Sequence, residues 1–325
     1  MRNGRRQVLA AAALLAAPPM VPGLRAQPRF PDRPIRMIVP YSAGGSTDAQ
    51  MRALCEAAGK RLGQAVVTEN RSGGGGIMGA QLLASGTRSD GYTLAQMPVS
   101  VFRHPWVSPR PAFDPLVDFT YVAQITGYLY GVVVKADAPW ANLEAALAFA
   151  RGNPGGFSYA TTGVGSSMDM CMQDIARKAE VEFTHVPFRG SAESLQSLLG
   201  KQISAVATSS DWARMVMDGS VRLLFTCGAR RAALFPTVPT LQELGYGIVT
   251  TSPYGVAGPR GMPPEVVRVL EQAFRAALDD PDYISVIQRL GMQNEYLDSA
   301  AYTASAHRQV EEEREVVRRF NLRQG

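Results

Sequence analysis

Three short turns carry the residues whose types could hold a ligand: Ser42 to Asp48 (SAGGSTD), Arg71 to Gly79 (RSGGGGIMG) and Thr161 to Ser167 (TTGVGSS). Each sets glycines and hydroxyls between an apolar run and a helical pattern, where the unpaired N–H groups of a helix start point outward. Such a terminus attracts anions through its donors and its dipole. Glycines let a ligand oxygen reach the backbone, while Ser46, Thr47, Thr161, Thr162, Ser166 and Ser167 add donors without adding charge. In any one turn the Ser, Thr or Asp can simply cap its own helix. Three such turns together point to anion binding, and an anion with two charged ends could be held from both sides of a cleft.

Catalytic chemistry finds little support. The chain has no G-x-S-x-G elbow, no P-loop, no H-E-x-x-H and no C-x-x-C. His104, His185 and His307 each stand alone in their segments, as satisfied structural histidines do. One pattern competes: Gly74-x-Gly76-x-x-Gly79 matches the dinucleotide turn G-x-G-x-x-G and would make the protein an exported NAD(P)-dependent oxidoreductase. That reading needs an acid at the end of the next strand to hold the ribose. The strand ends LAQMPVS, with Asp90 ahead of it instead. We therefore expect a binding protein, not an enzyme, with no cofactor and no metal.

The elements that must position the turns follow from periodicity. IRMIVPY, AVVTEN and DGYTLAQM read as strands, and Met51, Leu54, Cys55, Ala58 and Leu62 share one face of a helix after the first. VAQITGYLYGVVV is long for one strand and suits a segment crossing between two domains. The rhythm then restarts with FSYATTGVGSS, FTHVPFRGS and ISAVATSSD, and VRLLFTCG is expected to carry the chain back. Three helices, opened by Pro264, Pro281 and Ala300, close the chain. This pattern predicts an α/β fold of two domains, each a mostly parallel sheet flanked by helices, with two crossing strands as hinge. The expected division is an export signal at 1–26, one domain from 27–128 plus 228–325, and a second from 129–227.

The signal is read from the Arg5-Arg6 pair, the apolar run Val8 to Ala17 and a cut after Ala26. The order Arg-Arg-Gln-Val-Leu is a twin-arginine pattern, with a Sec signal as the alternative. The formal net charge of +5, less the signal's Arg2, Arg5, Arg6 and Arg25, leaves 5 − 4 = +1. That removes a basic footprint for nucleic acid. No second apolar run approaches the ~20 residues that span a bilayer, so a periplasmic monomer without membrane insertion is expected. Cys55, Cys171 and Cys227 sit in apolar patterns, as buried thiols or with one disulfide among them.

Six motifs in order carry a family resemblance: Pro40 to Asp48 (PYSAGGSTD), Glu69 to Ala80 (ENRSGGGGIMGA), Ser89 to Leu94 (SDGYTL), Tyr159 to Ser167 (YATTGVGSS), His185 to Ala192 (HVPFRGSA) and Phe235 to Gly245 (FPTVPTLQELG). Over essentially the whole mature chain, the sequence resembles the substrate-binding receptors of tripartite tricarboxylate transporters, also called Bug or TctC-type. The resemblance implies a type II, Venus-flytrap periplasmic-binding-protein fold that closes on a small carboxylate and delivers it to membrane permease subunits. A receptor that presents its ligand to a sensor kinase is the neighbouring alternative. Carried over by position, the ligand residues are Tyr41, Ala43, Gly44, Ser46, Thr47 and Asp48, then Gly74, Gly75 and Gly76, then Thr161, Thr162, Gly165, Ser166 and Ser167. Arg189, beside Gly190, is the cation placed to meet a carboxylate. The chain departs from the family at Ile77, where asparagine is usual, and at Asp169, where histidine is usual. Both departures favour a ligand with a single carboxylate. ATSSDW (Ala207 to Trp212) replaces the usual FDSLP, and there Asp211 and Trp212 could shape a pocket for an aromatic or amide-bearing ligand, or Trp212 could pack its own helix.

Overall fold

The computed structural model describes residues 30–320, so the expected export signal and its cut lie outside the described residues. The first strands and helices are β1 (Ile35–Val39), α1 (Ser46–Leu62), β2 (Val66–Asn70), α2 (Met78–Ala84), β3 (Thr93–Met97), α3 (Ser100–Val107) and β4 (Phe119–Thr126). The chain then crosses into β5 (Tyr130–Lys135), α4 (Leu143–Gly152), β6 (Phe157–Thr161), α5 (Ser167–Ala179), β7 (Phe183–Pro187), α6 (Ser191–Leu199), β8 (Ala205–Ser209), α7 (Ala213–Met217) and β9 (Val221–Thr226). It returns through β10 (Tyr254–Pro259), α8 (Pro264–Ala277), α9 (Pro281–Arg289), β11 (Asn294–Leu297) and α10 (Ser299–Phe320).

Two sheets result, ordered β11-β4-β10-β3-β1-β2 and β7-β6-β8-β5-β9. Both are parallel where helical crossovers join the strands: β1 pairs with β2 and β3, and β6 with β7 and β8. Both are antiparallel where the crossing segments attach, β4 and β5 among them. Alternation along each strand feeds two cores per sheet. Met37 and Val39 face the core under α1 and α8 while Ile38 faces α2 and α10; in the second sheet Val132 and Val134 oppose Val133. A strand covered on both faces in this way reads as a continuous apolar run, which is why IRMIV and VVV carry no polar positions beyond Arg36.

The return of the chain differs from expectation. VRLLFT does not cross back; it is the edge strand β9, paired antiparallel with β5. The segment after it stays with the second lobe, where Phe235, Leu241 and Ile248 are buried in that lobe's cores and Thr226 N–H donates to Pro239 O at 3.0 Å. The chain leaves only near 250, so a boundary at 227 strips the second lobe of three core side chains. The crossing at VAQITGYLYGVVV is two strands, β4 and β5, with Gly127 to Leu129 between them. No helix among the described residues is long and apolar enough to cross a membrane.

His104, on α3, stacks on Phe113 with ring centroids 4.7 Å apart and accepts the Ala112 N–H at Nε2, 3.1 Å away. Burial holds its pKa below the ordinary value, and an imidazolium there would set N–H against N–H. The folded value lies below the unfolded value of ~6.5, so this stabilisation is complete above ~6.5 and is lost as pH falls through the depressed folded value. The melting temperature should therefore fall between pH 7.5 and pH 5, and His104→Gln, which keeps an acceptor but does not titrate, should flatten that slope. An equal slope in the variant contradicts the assignment.

Candidate ligand-binding site

All the parallel strands of both sheets end at one place. Tyr41, Ser42 and Gly45 follow β1, Gly75 follows β2, and Pro98, Val99 and Ser100 follow β3; from the other lobe Thr162 and Ser166 follow β6, Ser191 follows β7, and Thr208 and Ser209 end β8. Open α/β sheets bind ligands at this carboxyl edge, where each helix begins with unpaired N–H groups. Tyr128 and Tyr130 of the crossing segment and Ser252 of the returning one complete a cavity of about 30 Å³. That space takes only about one or two waters, so anything larger needs the lobes further apart than here.

One local device shapes the principal turn of each lobe. In the first, Gly44 (φ +88°) presents its N–H to Asp48 Oδ2 at 3.0 Å; in the second, Gly165 (φ +71°) presents its N–H to Asp169 Oδ2 at 2.8 Å. Each aspartate is the third residue of its helix and folds the preceding loop back over the helix start, a variant of the capping box. Asp48 also accepts from Arg52 Nε and Asn70 Nδ2, both at 2.9 Å. Burial pushes its carboxyl up, and these bonds together outweigh burial to hold it below the usual range. Asp169 accepts from Tyr159 Oη at 2.9 Å and lies 3.3 Å from His185 Nδ1. His185 stacks on Tyr159 and meets Thr161 Oγ1 at 2.7 Å, and burial lowers its pKa more than Asp169 raises it.

The glycine run closes against the opposite lobe. A Cβ on Gly75, whose φ is +66°, would lie 3.3 Å from Val164 O, and one on Gly163 would lie 3.2 Å from Gly75 Cα. Gly76 leaves room for the Tyr41 hydroxyl, which a Cβ would approach to 2.6 Å. Other bonds join the lobes around the cavity: Ser46 Oγ to Ser209 Oγ at 2.8 Å, Ser252 Oγ to Ser167 Oγ at 2.7 Å, and the buried Arg103 to Gly165 O. Arg103 is also paired with Glu313 at 2.6 Å, which neutralises it.

Of the residues expected from sequence, Tyr41, Thr47, Gly75, Thr162, Ser166 and Ser167 line the cavity. Ala43, Gly44, Gly74, Gly76, Thr161 and Gly165 do not; they form the turns behind it. Asp48 and Asp169 are consumed by their braces, and Ile77 packs into the first lobe's core, so neither departure bears on the number of ligand carboxylates for the reason expected. Arg189 is exposed and does not line the cavity. Trp212 is fully buried against Phe235, with Nε1 donating to Thr208 O at 3.2 Å, and shapes no pocket. Sequence reasoning missed Ser42, Gly45, Pro98 to Ser100, Ser191, Thr208, Ser209 and the tyrosine pair. Pro98-Val99-Ser100 is a strand-to-helix turn without glycine, the signal used to find the others, and Tyr128-x-Tyr130 was read only as strand.

The electrostatics are those of a neutral site. Among the described residues, no charged side chain lines the cavity. Burial pushes the Tyr41 and Tyr130 phenols up, so both remain protonated donors. The hydroxyls of Ser42, Ser100 and Thr208 are buried there with no hydrogen-bond partner among the described residues. An unpaired buried hydroxyl costs about 1–3 kcal/mol, so three around one cavity mark a place built for a polar guest.

Residues 50–322 match the family described as tripartite tricarboxylate transporter family receptor. A Cupriavidus necator protein, described as a UPF0065 protein in the gbd 5′ region, is 40% identical over 324 residues, covering 98% of each chain. The structure of the periplasmic binding protein BugD superposes with a TM-score of 0.87 at 26% identity, covering 91% of this chain and 100% of that one. MatC from Rhodopseudomonas palustris with bound malate gives a TM-score of 0.81 at 26% identity, covering 89% and 100%. The dinucleotide reading of the glycine run falls with these matches: the chain belongs to the tripartite tricarboxylate transporter receptor family, whose members bind solutes and are not enzymes.

Proposed function

We propose that the protein is a periplasmic receptor that captures a small organic acid between its lobes and delivers it to the membrane subunits of a tripartite tricarboxylate-type transporter. The observation that carries this reading is the ring of unpartnered neutral hydroxyls, Ser42, Ser100 and Thr208, around a cavity where helices α1, α5 and α6 begin. Hydroxyl and backbone donors hold a carboxylate by hydrogen bonds, and the helix dipoles supply the favourable field without a fixed cation. The family and the malate bound by MatC support the ligand class. Ligand residues would be Tyr41, Thr47, Gly75, Thr162, Ser166 and Ser167 from the expected set, joined by Ser42, Ser100, Ser191 and Thr208. The remaining expected residues would act by holding the turns. The first lobe would comprise the described chain up to 128 and from about 250, the second the span between, and the protein would act as a monomer.

Capture would proceed by closure. With the lobes apart, the acid meets the turns of one lobe; closing brings the second set of donors and excludes water, which strengthens every bond inside. Gly190 sets how far the lobes can approach, because a Cβ there would lie 1.8 Å from Ser42 Oγ and 3.0 Å from Ser42 Cβ. Rotating the serine hydroxyl away would still leave a tight Cβ–Cβ approach, relieved only by a shift of a few tenths of an ångström.

A thermal-shift screen of mono-, di- and tricarboxylates should find acids that raise the melting temperature; no shift with any of them contradicts the ligand class. Thr208→Val removes an unpaired hydroxyl at constant shape. It should leave the free protein equally stable or up to ~1 kcal/mol more stable while weakening the best acid about tenfold. Loss of stability with unchanged affinity would show Thr208 to be structural only. Gly190→Ala should displace the Ser42 hydroxyl and weaken the best acid severalfold by calorimetry, and an unchanged affinity contradicts a role for this close approach in binding.

A further inference from the structure

The first free N–H of α1, that of Ser46, already has an anion on it. Asp211, which follows β8 in the second lobe, reaches across the interface and accepts this N–H at Oδ1. Its other oxygen accepts from Ser209 Oγ at 3.1 Å, and the hydroxyls of Ser46 and Ser191 also bond it. The carboxylate therefore sits between the starts of α1 and α6, fed by donors from both lobes. Gly45 at the α1 start has no side-chain cap of its own, and a Cβ there would lie 3.5 Å from Asp211 Oδ1. Burial pushes the Asp211 carboxyl up, and these donors only partly offset that.

We infer that Asp211 is a resident anion that sets the receptor's specificity, restricting it to acids with a single carboxylate and rejecting those with a second carboxylate at the α1 side of the cleft. The inference rests on the reading of the cleft as a carboxylate site. Three observations converge on it. Asp211 occupies the Ser46 N–H and places a negative charge at the α1 start, where a second ligand carboxylate would meet it. No cation among the described residues lines the cavity to offset two more negative charges, and the buried Arg103 is paired with Glu313. The unpartnered hydroxyls Ser42, Ser100 and Thr208, beside the α5 start, suffice for one carboxylate, and Pro98, Val99 and Met168 offer apolar wall to the rest of the ligand. Like charges brought together in a cleft that excludes water repel strongly, enough to dominate the choice between otherwise matched acids.

The test compares matched pairs by calorimetry and thermal shift: butyrate with succinate, pentanoate with glutarate, and hexanoate with adipate. The wild type should prefer the monocarboxylate of at least one pair by tenfold or more. Asp211→Asn keeps an acceptor for Ser46 N–H and removes the charge, so it should reduce or reverse that preference at least tenfold, chiefly by tightening the dicarboxylate. Asp211→Ser, which removes the charge with less bulk, should shift the ratio the same way and serves if the asparagine variant folds poorly. A wild type that binds the dicarboxylates as tightly, or variants in which the ratio is unchanged, overturns the inference while leaving the carboxylate receptor standing. No binding of any of the six acids to either protein overturns both.

Discussion

The amide of Ser46 and the carboxylate of Asp211 belong to different lobes, and their bond joins the two halves of the cleft where helix α1 begins. The reason lies in the sheets. In each lobe a parallel set of strands ends at the interface, and every strand end hands the chain to a helix whose first N–H groups lack partners. Facing two such edges gathers several partial positive charges around one small volume. Something negative must answer them, either part of the protein or a ligand. At the Ser46 amide it is the protein; at Ser42, Ser100 and Thr208 the hydroxyls are left for a guest.

Using helix starts and hydroxyls in place of arginines has consequences for a receptor that must also let go. A bidentate guanidinium would grip a carboxylate in the open lobe and the closed one alike. Neutral donors divided between two lobes grip fully only when both are in place, so affinity is tied to closure. The two aspartate braces make that closure reproducible. Asp48 and Asp169 hold their loops in one conformation by the same bond to a left-handed glycine, so the donors they present are fixed before a ligand arrives. Preorganisation of this kind avoids an ordering cost at the moment of binding.

Much of this was legible from residue order. The strand, small-residue turn, helix rhythm located two lobes and the three turns because periodicity and glycine content are local signals. The roles of individual residues within the turns were less legible. Asp48 and Asp169 read as groups at the cleft, yet an aspartate three residues into a helix is close enough to its own loop to be captured by it, and three or more partners hold each away from the cavity. Gly75 read as backbone access for a ligand, whereas it also makes room for Val164 O of the opposite lobe, a contact between residues some ninety positions apart that no local pattern encodes. The span from Gly228 to Ile248 falls to the first domain if VRLLFTCG is the strand that carries the chain back. Its allegiance is set by three anchoring side chains, Phe235, Leu241 and Ile248, spaced too widely for a period to reveal. Asp211 stood out by departing from the family pattern, although what it meets across the interface could be known only from the fold.

The claim on which the rest turns is that a ligand's carboxylate is held by neutral donors at the second lobe's helix starts while Asp211 keeps the start of α1. A crystal structure with a bound acid tests it most directly. The expected density places one carboxylate within ~3 Å of Ser166, Thr208 or Ser100 donors, with Asp211 still on the Ser46 amide and the lobes slightly further apart than here. A carboxylate seated on the Ser46 amide with Asp211 turned away, or one paired with Arg103 or Arg189, would contradict it.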